Sequence, residues 1–97
     1  MIVNALIIAP NKFELSQNFP NPWNPSTTIS YKVPENILVT IKLYDALGKE
    51  ITTLINEEQP AGIHTVTLNE TGLSSGVYYY RMKAGNFKDS KKINLVK

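Results

Sequence analysis

The sequence predicts a single all-β domain, an antiparallel β-sandwich of about seven strands. Three observations support this prediction. The chain has 97 residues, which is near the size of one immunoglobulin-like sandwich and leaves no room for a second domain. Apolar and polar residues alternate with a period of two through most of the chain, and no window keeps a helical stripe for long. Turn signals rich in glycine, proline and asparagine separate these segments at intervals of roughly 8 to 12 residues.

Six segments show the alternation, and a short strand is expected ahead of them at residues 13–16. They are residues 28–33, 38–45, 50–55, 63–69, 76–84 and 90–96. Turns are predicted at residues 34–36, 45–48, 60–62, 74–76 and 85–86. In the four-residue loop from Asp45 to Gly48, the glycine supplies the positive φ that such hairpins need. Gly62 closes the Pro-Ala-Gly turn.

The inward-facing residues of these strands form the predicted core. They are Ile29, Tyr31, Val39, Ile41, Leu43, Leu54, Val66, Leu68, Val77, Tyr79 and Ile93. Segment 76–84 starts with apolar residues on both faces, which is typical of a central strand. Its assignment depends on register, because a shift of one residue moves every side chain to the other face.

A proline-rich segment precedes the first long strand. Its members are Pro20, Asn21, Pro22, Trp23, Asn24 and Pro25. Proline fixes φ, lacks a backbone donor and favours an extended residue before it, so an extended, donor-poor rod is predicted. We expect Phe19 and Trp23 to hold this rod against the core, and Trp23→Ala to cost about 2–4 kcal/mol of stability. Residues 1–12 are interpreted as a linker or the remnant of an upstream region, and residues 13–97 as the domain.

Charge is distributed unevenly along the chain. Residues 1–80 carry four basic and seven acidic side chains, whereas residues 81–97 carry six basic side chains and one acidic one. The last hairpin is therefore a basic end on a slightly acidic body. Lysines on a final strand protect a sheet edge from pairing with other chains. They can equally attract an acidic partner, and the sequence leaves both interpretations open.

Residues that could support catalysis are few and scattered. The chain has no cysteine, which excludes disulfides, thiolate metal sites and a cysteine nucleophile. His64 stands alone in an alternating strand and is expected at a surface or half-buried position. Glu57 and Glu58 are adjacent, so they diverge on an extended segment and are interpreted as part of a solvated loop. Ser74 and Ser75 lack the frame of a catalytic serine. We therefore expect no enzymatic activity, no cofactor and no metal.

Neither a membrane span nor nucleic-acid binding is expected. No uncharged apolar run is long enough to cross a bilayer. Consecutive strand residues face opposite sides, so the three tyrosines at positions 78–80 cannot form one stacking platform.

Several separated motifs, in a fixed order, resemble one known family. They are the segment PNPWNPST, the turn YDALGKE, the turn PAG, the segment SGVYYYR and a lysine-rich final strand. From residue 13 to residue 97 the chain resembles the C-terminal sorting domain of type IX (Por) secretion substrates, found in the Bacteroidetes and neighbouring phyla. That domain is related to the immunoglobulin-like domain of flagellar hook-capping proteins.

The resemblance implies a non-catalytic sorting signal. Such a domain directs an attached N-terminal cargo across the periplasm and through the outer-membrane translocon of the type IX system, to the cell surface or the medium. Sortase-like processing machinery is a further implied partner, and we expect a monomer. Translocon recognition is implied for Gly76, Tyr78, Lys91, Lys92 and Lys97. The Pro20–Pro25 segment, Asp45, Gly48 and Gly62 are family marks interpreted as structural.

Two other functions remain open at this point. The domain could be a structural or adhesive immunoglobulin-like module, as in hook-capping proteins. It could also be a carbohydrate-binding sandwich, which would need exposed aromatic side chains, and Trp23 is the only tryptophan in the chain.

Overall fold

All regular secondary structure in the described part of the chain is β-strand. The computed structural model describes residues 10–22, 26–69 and 72–96. It contains seven strands, β1 (Glu14–Leu15), β2 (Thr27–Val33), β3 (Ile37–Asp45), β4 (Glu50–Gln59), β5 (Gly62–Leu68), β6 (Gly76–Ala84) and β7 (Phe87–Leu95). These ranges include no helix of the length and hydrophobicity that a membrane crossing requires. The predicted all-β class and strand number are confirmed.

The strands form two antiparallel sheets, ordered β1-β2-β5 and β4-β3-β6-β7. In a constant-type immunoglobulin domain, the first, second, fourth and fifth strands share one sheet. Here β4 lies in the other sheet, beside β3. The short turn between them explains this position. The carboxylate of Asp45 accepts hydrogen bonds from the amides of Leu47 and Lys49, both at 2.9 Å, and Gly48 has the predicted positive φ of 90°. The chain therefore reverses directly and keeps β4 next to β3.

One hydrophobic core joins the inner faces of the two sheets. Seven of the predicted core residues are buried, namely Ile29, Tyr31, Val39, Ile41, Leu43, Leu68 and Ile93. Leu54 and Val66 are half-buried and pack against the margin of this core. Alternate burial along β2 and β3 confirms that the period of two sets the inner face.

The predicted orientation of β6 is wrong. Val77 and Tyr79 face outward, whereas the buried residues of this strand are Tyr78, Tyr80, Met82 and Ala84. Tyr78 lies directly opposite Ile93 of β7, and cross-strand partners share a face of the sheet. Because Ile93 is fully buried, Tyr78 faces the core as well.

Polar contacts, rather than the side chain of Phe19, hold the start of the proline-rich segment at Pro20 to the sandwich. The side chain of Phe19 is 80% exposed, which contradicts the predicted anchoring role. Its backbone pairs with Thr28, an exposed position of β2, so its side chain lies on the outer face. The buried amide of Asn18 instead donates to the carbonyl of Pro20 (3.0 Å) and to the hydroxyl of Thr27 (3.1 Å). The Thr27 hydroxyl in turn donates to the same Pro20 carbonyl, at 2.8 Å.

The segment that follows is bent rather than extended. Residues 20–22 form bends, and the peptide bonds before Pro20 and Pro22 are cis. The predicted extended rod is therefore wrong over this stretch. Trp23, Asn24 and Pro25 lie outside the described residues, so the predicted burial of Trp23 stays a prediction.

Strand β4 is longer than predicted. It continues to Gln59 and so includes Glu57 and Glu58, which were interpreted as a loop. Pairing continues because β3 begins at Ile37, which lies opposite Gln59. Both glutamates are exposed and diverge across the strand, as expected of adjacent strand residues.

Candidate functional site

The predicted recognition lysines lie on β7, an edge strand of the four-stranded sheet. Lys92 pairs with Tyr79 and Lys91 pairs with Tyr80, so the two lysines lie on opposite faces of one strand. Lys92 is exposed on the outer face. Lys91 is on the inner side at the sheet margin, where its Nζ lies 3.8 Å from Asp89 Oδ2 and its side chain is 33% exposed. A partner that contacts both lysines must therefore follow the strand edge. Lys97 lies outside the described residues.

Both the core and the N-terminal segment hold β7 in place. Its inward residues Ile93 and Leu95 are buried. The side-chain amide of Gln17 donates to the backbone carbonyl of Lys92 at 2.6 Å, and the backbone N–H of Asn94 donates to Asn21 Oδ1 at 3.1 Å. Asn21 is one of the family marks interpreted as structural, and this contact places it directly against β7.

Near the start of that strand, the rings of Phe13 and Phe87 stack with their centroids 5.2 Å apart. This contact joins the residue just before β1 to the first residue of β7. The edge strand is therefore secured at several points along its length, and its charged side chains project from a fixed backbone.

The glycine-x-aromatic motif lies at the start of β6. Gly76 has a φ of 151°, in the region that favours glycine, and is paired with Leu95. Tyr78 is buried, and its hydroxyl donates to the carbonyl of Ser74 at 2.6 Å. A tyrosine near the start of the sixth strand, with its hydroxyl bonded to the backbone a few residues upstream, matches the tyrosine corner of immunoglobulin-like sandwiches. The geometry gives Gly76 and Tyr78 a role in fixing β6 against β7.

Tyr80 connects the two sheets, a role that the sequence did not predict. Its side chain is fully buried, and its hydroxyl donates to the carbonyl of Ser16 at 2.6 Å, which ties β6 to the chain just after β1 in the opposite sheet. Burial is the main cause that raises the pKa of Tyr80 to about 12. Its position could have been found from Met82 and Ala84, which continue the same apolar face.

The lone histidine occupies a half-buried position, as predicted. His64 Nε2 lies 2.7 Å from the carbonyl oxygen of Pro60, and its ring stacks on Tyr31 with centroids 5.5 Å apart. Within the described ranges, no group of three or more histidine or acidic side chains could hold a metal ion.

Comparison with family models assigns this sandwich to a known family. A family model described as the secretion system C-terminal sorting domain matches residues 17–96. The chain belongs to this family. The predicted resemblance is therefore confirmed, and the sorting domain marks its protein for export by type IX secretion to the cell surface or medium. Neither a curated protein nor a solved structure matches the chain significantly.

Proposed function

We propose that this sorting domain is a non-catalytic address that the outer-membrane translocon of the type IX system reads in the folded state. It takes an attached N-terminal cargo through the periplasm to the translocon, where sortase-like machinery processes the exported protein. The observation that carries this proposal is the family match over residues 17–96, which includes all of β2 to β7.

The residues that we assign to recognition are Lys91 and Lys92, with Lys97 beyond them. Their support comes from the position of β7. On its outer edge β7 has no neighbour among the described strands, and although Gln17 and Asn21 bind its backbone at Lys92 and Asn94, both lysines keep accessible side chains. Cations on such an edge increase the association rate with an acidic surface and cost the fold little. Because Lys91 and Lys92 lie on opposite faces, we propose that the translocon contacts β7 from both sides of its edge.

Gly76 and Tyr78 have a supporting role in this proposal. Their backbone pairs with Leu95 and Ile93 of β7. The buried side chain of Tyr78 has little surface to offer a partner. Changes at either residue would therefore affect recognition through the position of the final strand.

The test is export of a reporter fused ahead of the domain in a type IX-competent host, with Lys91 and Lys92 both changed to Ala. Among the described residues, the one ion pair lost is that of Lys91 with Asp89 at the surface, and such pairs contribute about 0–1 kcal/mol. Each substitution should therefore change stability by about 0.5 kcal/mol or less. We expect a folded domain, a sharp fall in exported reporter and its accumulation in the periplasm.

A matched control removes the same charge elsewhere. Lys32→Ala with Lys49→Ala deletes one lysine that forms an exposed ion pair, with Glu14 at 3.3 Å, and one lysine in the β3–β4 turn. This variant should be exported normally. Normal export of the folded Lys91/Lys92 variant would contradict the assignment and direct attention to the Gly76–Tyr78 corner. An equal fall in reporter export with both variants would show that the translocon responds to the total charge of the domain rather than to β7.

A further inference from the structure

The outer face of the four-stranded sheet contains a half-open depression lined mainly by cations. Its walls come from β3, β6 and β7, three strands that are not all neighbours in sequence. The lining residues are Thr40, Lys42, Tyr44, Arg81, Lys83 and Lys88. Neither Lys91 nor Lys92 lines it, so this surface is separate from the proposed recognition residues.

Strand register places like charges directly opposite one another in this depression. Lys42 is the cross-strand partner of Arg81, and Lys83 is the partner of Lys88. Like charges at such positions destabilise a sheet. Lys42 has an acidic partner, Glu50 Oε1, at 3.2 Å. No ion pair within the described residues involves Arg81, Lys83 or Lys88. The repulsion among these side chains is therefore poorly compensated by the protein itself.

The chemistry of the lining favours a small multivalent anion over a protein surface. The centre of a protein interface is usually poor in lysine and built around apolar or aromatic anchors. Four of the six residues that line this depression are cationic, Tyr44 is the one aromatic residue among them, and none is aliphatic. A guanidinium group binds phosphate oxygens in a bidentate manner, and lysines add point charges around it.

We propose that this depression binds a phosphomonoester group, with Arg81 as the bidentate contact and Lys42, Lys83 and Lys88 as the surrounding charges. A dianionic phosphate would reduce the repulsion within both cross-strand pairs, Lys42 with Arg81 and Lys83 with Lys88. The ligand chemistry is shared by a soluble sugar phosphate and by a lipid headgroup with a terminal phosphate. The inference stands apart from the proposed sorting function, because it concerns different side chains and requires no secretion machinery.

The test is a nuclear magnetic resonance titration of the purified chain with glucose 6-phosphate, beside co-sedimentation with vesicles that contain phosphatidic acid. We expect saturable shifts confined to the outer faces of β3, β6 and β7. Saturation by the sugar phosphate identifies a soluble source, and Arg81-dependent binding to the vesicles alone identifies a lipid source. The proposal is overturned if neither probe binds, or if only a phosphodiester oligonucleotide does.

Two variants distinguish binding in this depression from the general attraction of an anion to a basic protein. Arg81→Gln should weaken binding by about 10-fold or more, because it removes a charge-assisted bidentate contact. Lys49→Gln removes the same charge from an exposed turn and should change affinity by about 2-fold or less at ordinary ionic strength. Equal losses in the two variants would overturn the proposal.

Thermal unfolding provides a readout that does not depend on detecting the ligand directly. Because Lys83 lies opposite Lys88, Lys83→Gln should raise the melting temperature in the absence of phosphate. The same variant should lose most of the extra stability that phosphate gives the original protein relative to chloride at equal ionic strength. A lower melting temperature, or equal stabilisation by the two salts, would contradict the proposal.

Discussion

Tyr80→Phe tests the link between the two sheets. The substitution keeps the buried ring and removes only the hydroxyl that donates to the carbonyl of Ser16 at 2.6 Å. Loss of this bond leaves a carbonyl without its donor, so we expect a cost of about 1–2 kcal/mol near pH 7. In a domain of this size each kcal/mol lowers the melting temperature by about 4–8 °C. Denaturant unfolding followed by circular dichroism measures the difference.

The same variant should change the pH dependence of stability. Burial raises the pKa of Tyr80 from 10.0 to about 12, so the folded state holds the phenolic proton more tightly than the unfolded state. This contribution is complete below pH 10 and is lost as the pH rises towards 12. At about pH 11 the original protein should have lost about 1.4 kcal/mol through this group, whereas the phenylalanine variant loses none. The gap between the two proteins should therefore be nearly closed at that pH.

Tyr79→Phe is the matched control. Tyr79 lies next to Tyr80 but faces outward and is 37% exposed, so its loss should change stability by about 0.5 kcal/mol or less. The difference in the free energy of unfolding between the two variants cancels the contributions of all titrating groups that they share, including Tyr31. A gap between Tyr80→Phe and the original protein that stays the same from pH 7 to about pH 11 would refute the argument.

Two further substitutions test the polar contacts that shape the chain before β2 and in the turn between β3 and β4. Asn18→Ala removes a buried amide that donates to the carbonyl of Pro20 and to the hydroxyl of Thr27, and should cost about 1–3 kcal/mol in urea unfolding. Asp45→Ala removes two hydrogen bonds from an exposed turn and should cost about 1 kcal/mol. A smaller loss from Asn18→Ala than from Asp45→Ala would contradict the ranking by burial.

The sequence predicted the strands well because alternation and turn residues are local signals. β2 shows this most clearly, since polar or charged residues mark one face along its whole length, and in β3 Thr40 and Lys42 mark one face in the middle of the strand. The first half of β6 gave no such signal, because Val77, Tyr78 and Tyr79 are all apolar or aromatic. Its second half did, since Arg81 and Lys83 lie on the face of Tyr79. Extending the pattern over the full strand would have given the correct orientation.

Contacts between distant segments could not be predicted in this way. The bonds of Asn18 and Tyr80 depend on how two sheets are placed against each other, and no local pattern encodes that placement. The same holds for the cationic depression. Lys42 and Arg81 are 39 positions apart, and they meet only because β6 pairs with β3 rather than with β5. Lys91 and Lys92 were singled out by the family resemblance and by the basic charge of the last residues, but their separation onto two faces required the register of β7.

The position of β7 also governs when the domain can fold. This strand supplies Ile93 and Leu95 to the core and binds Gln17 and Asn21 from the other end of the domain. Synthesis proceeds from the N-terminus, and a growing chain that lacks β7 leaves Tyr78 and Tyr80 of β6 without their cross-strand partners. We therefore expect stable closure of the sandwich only after β7 has been made, because an earlier chain lacks the buried side chains of Ile93 and Leu95 and the strand that pairs with β6.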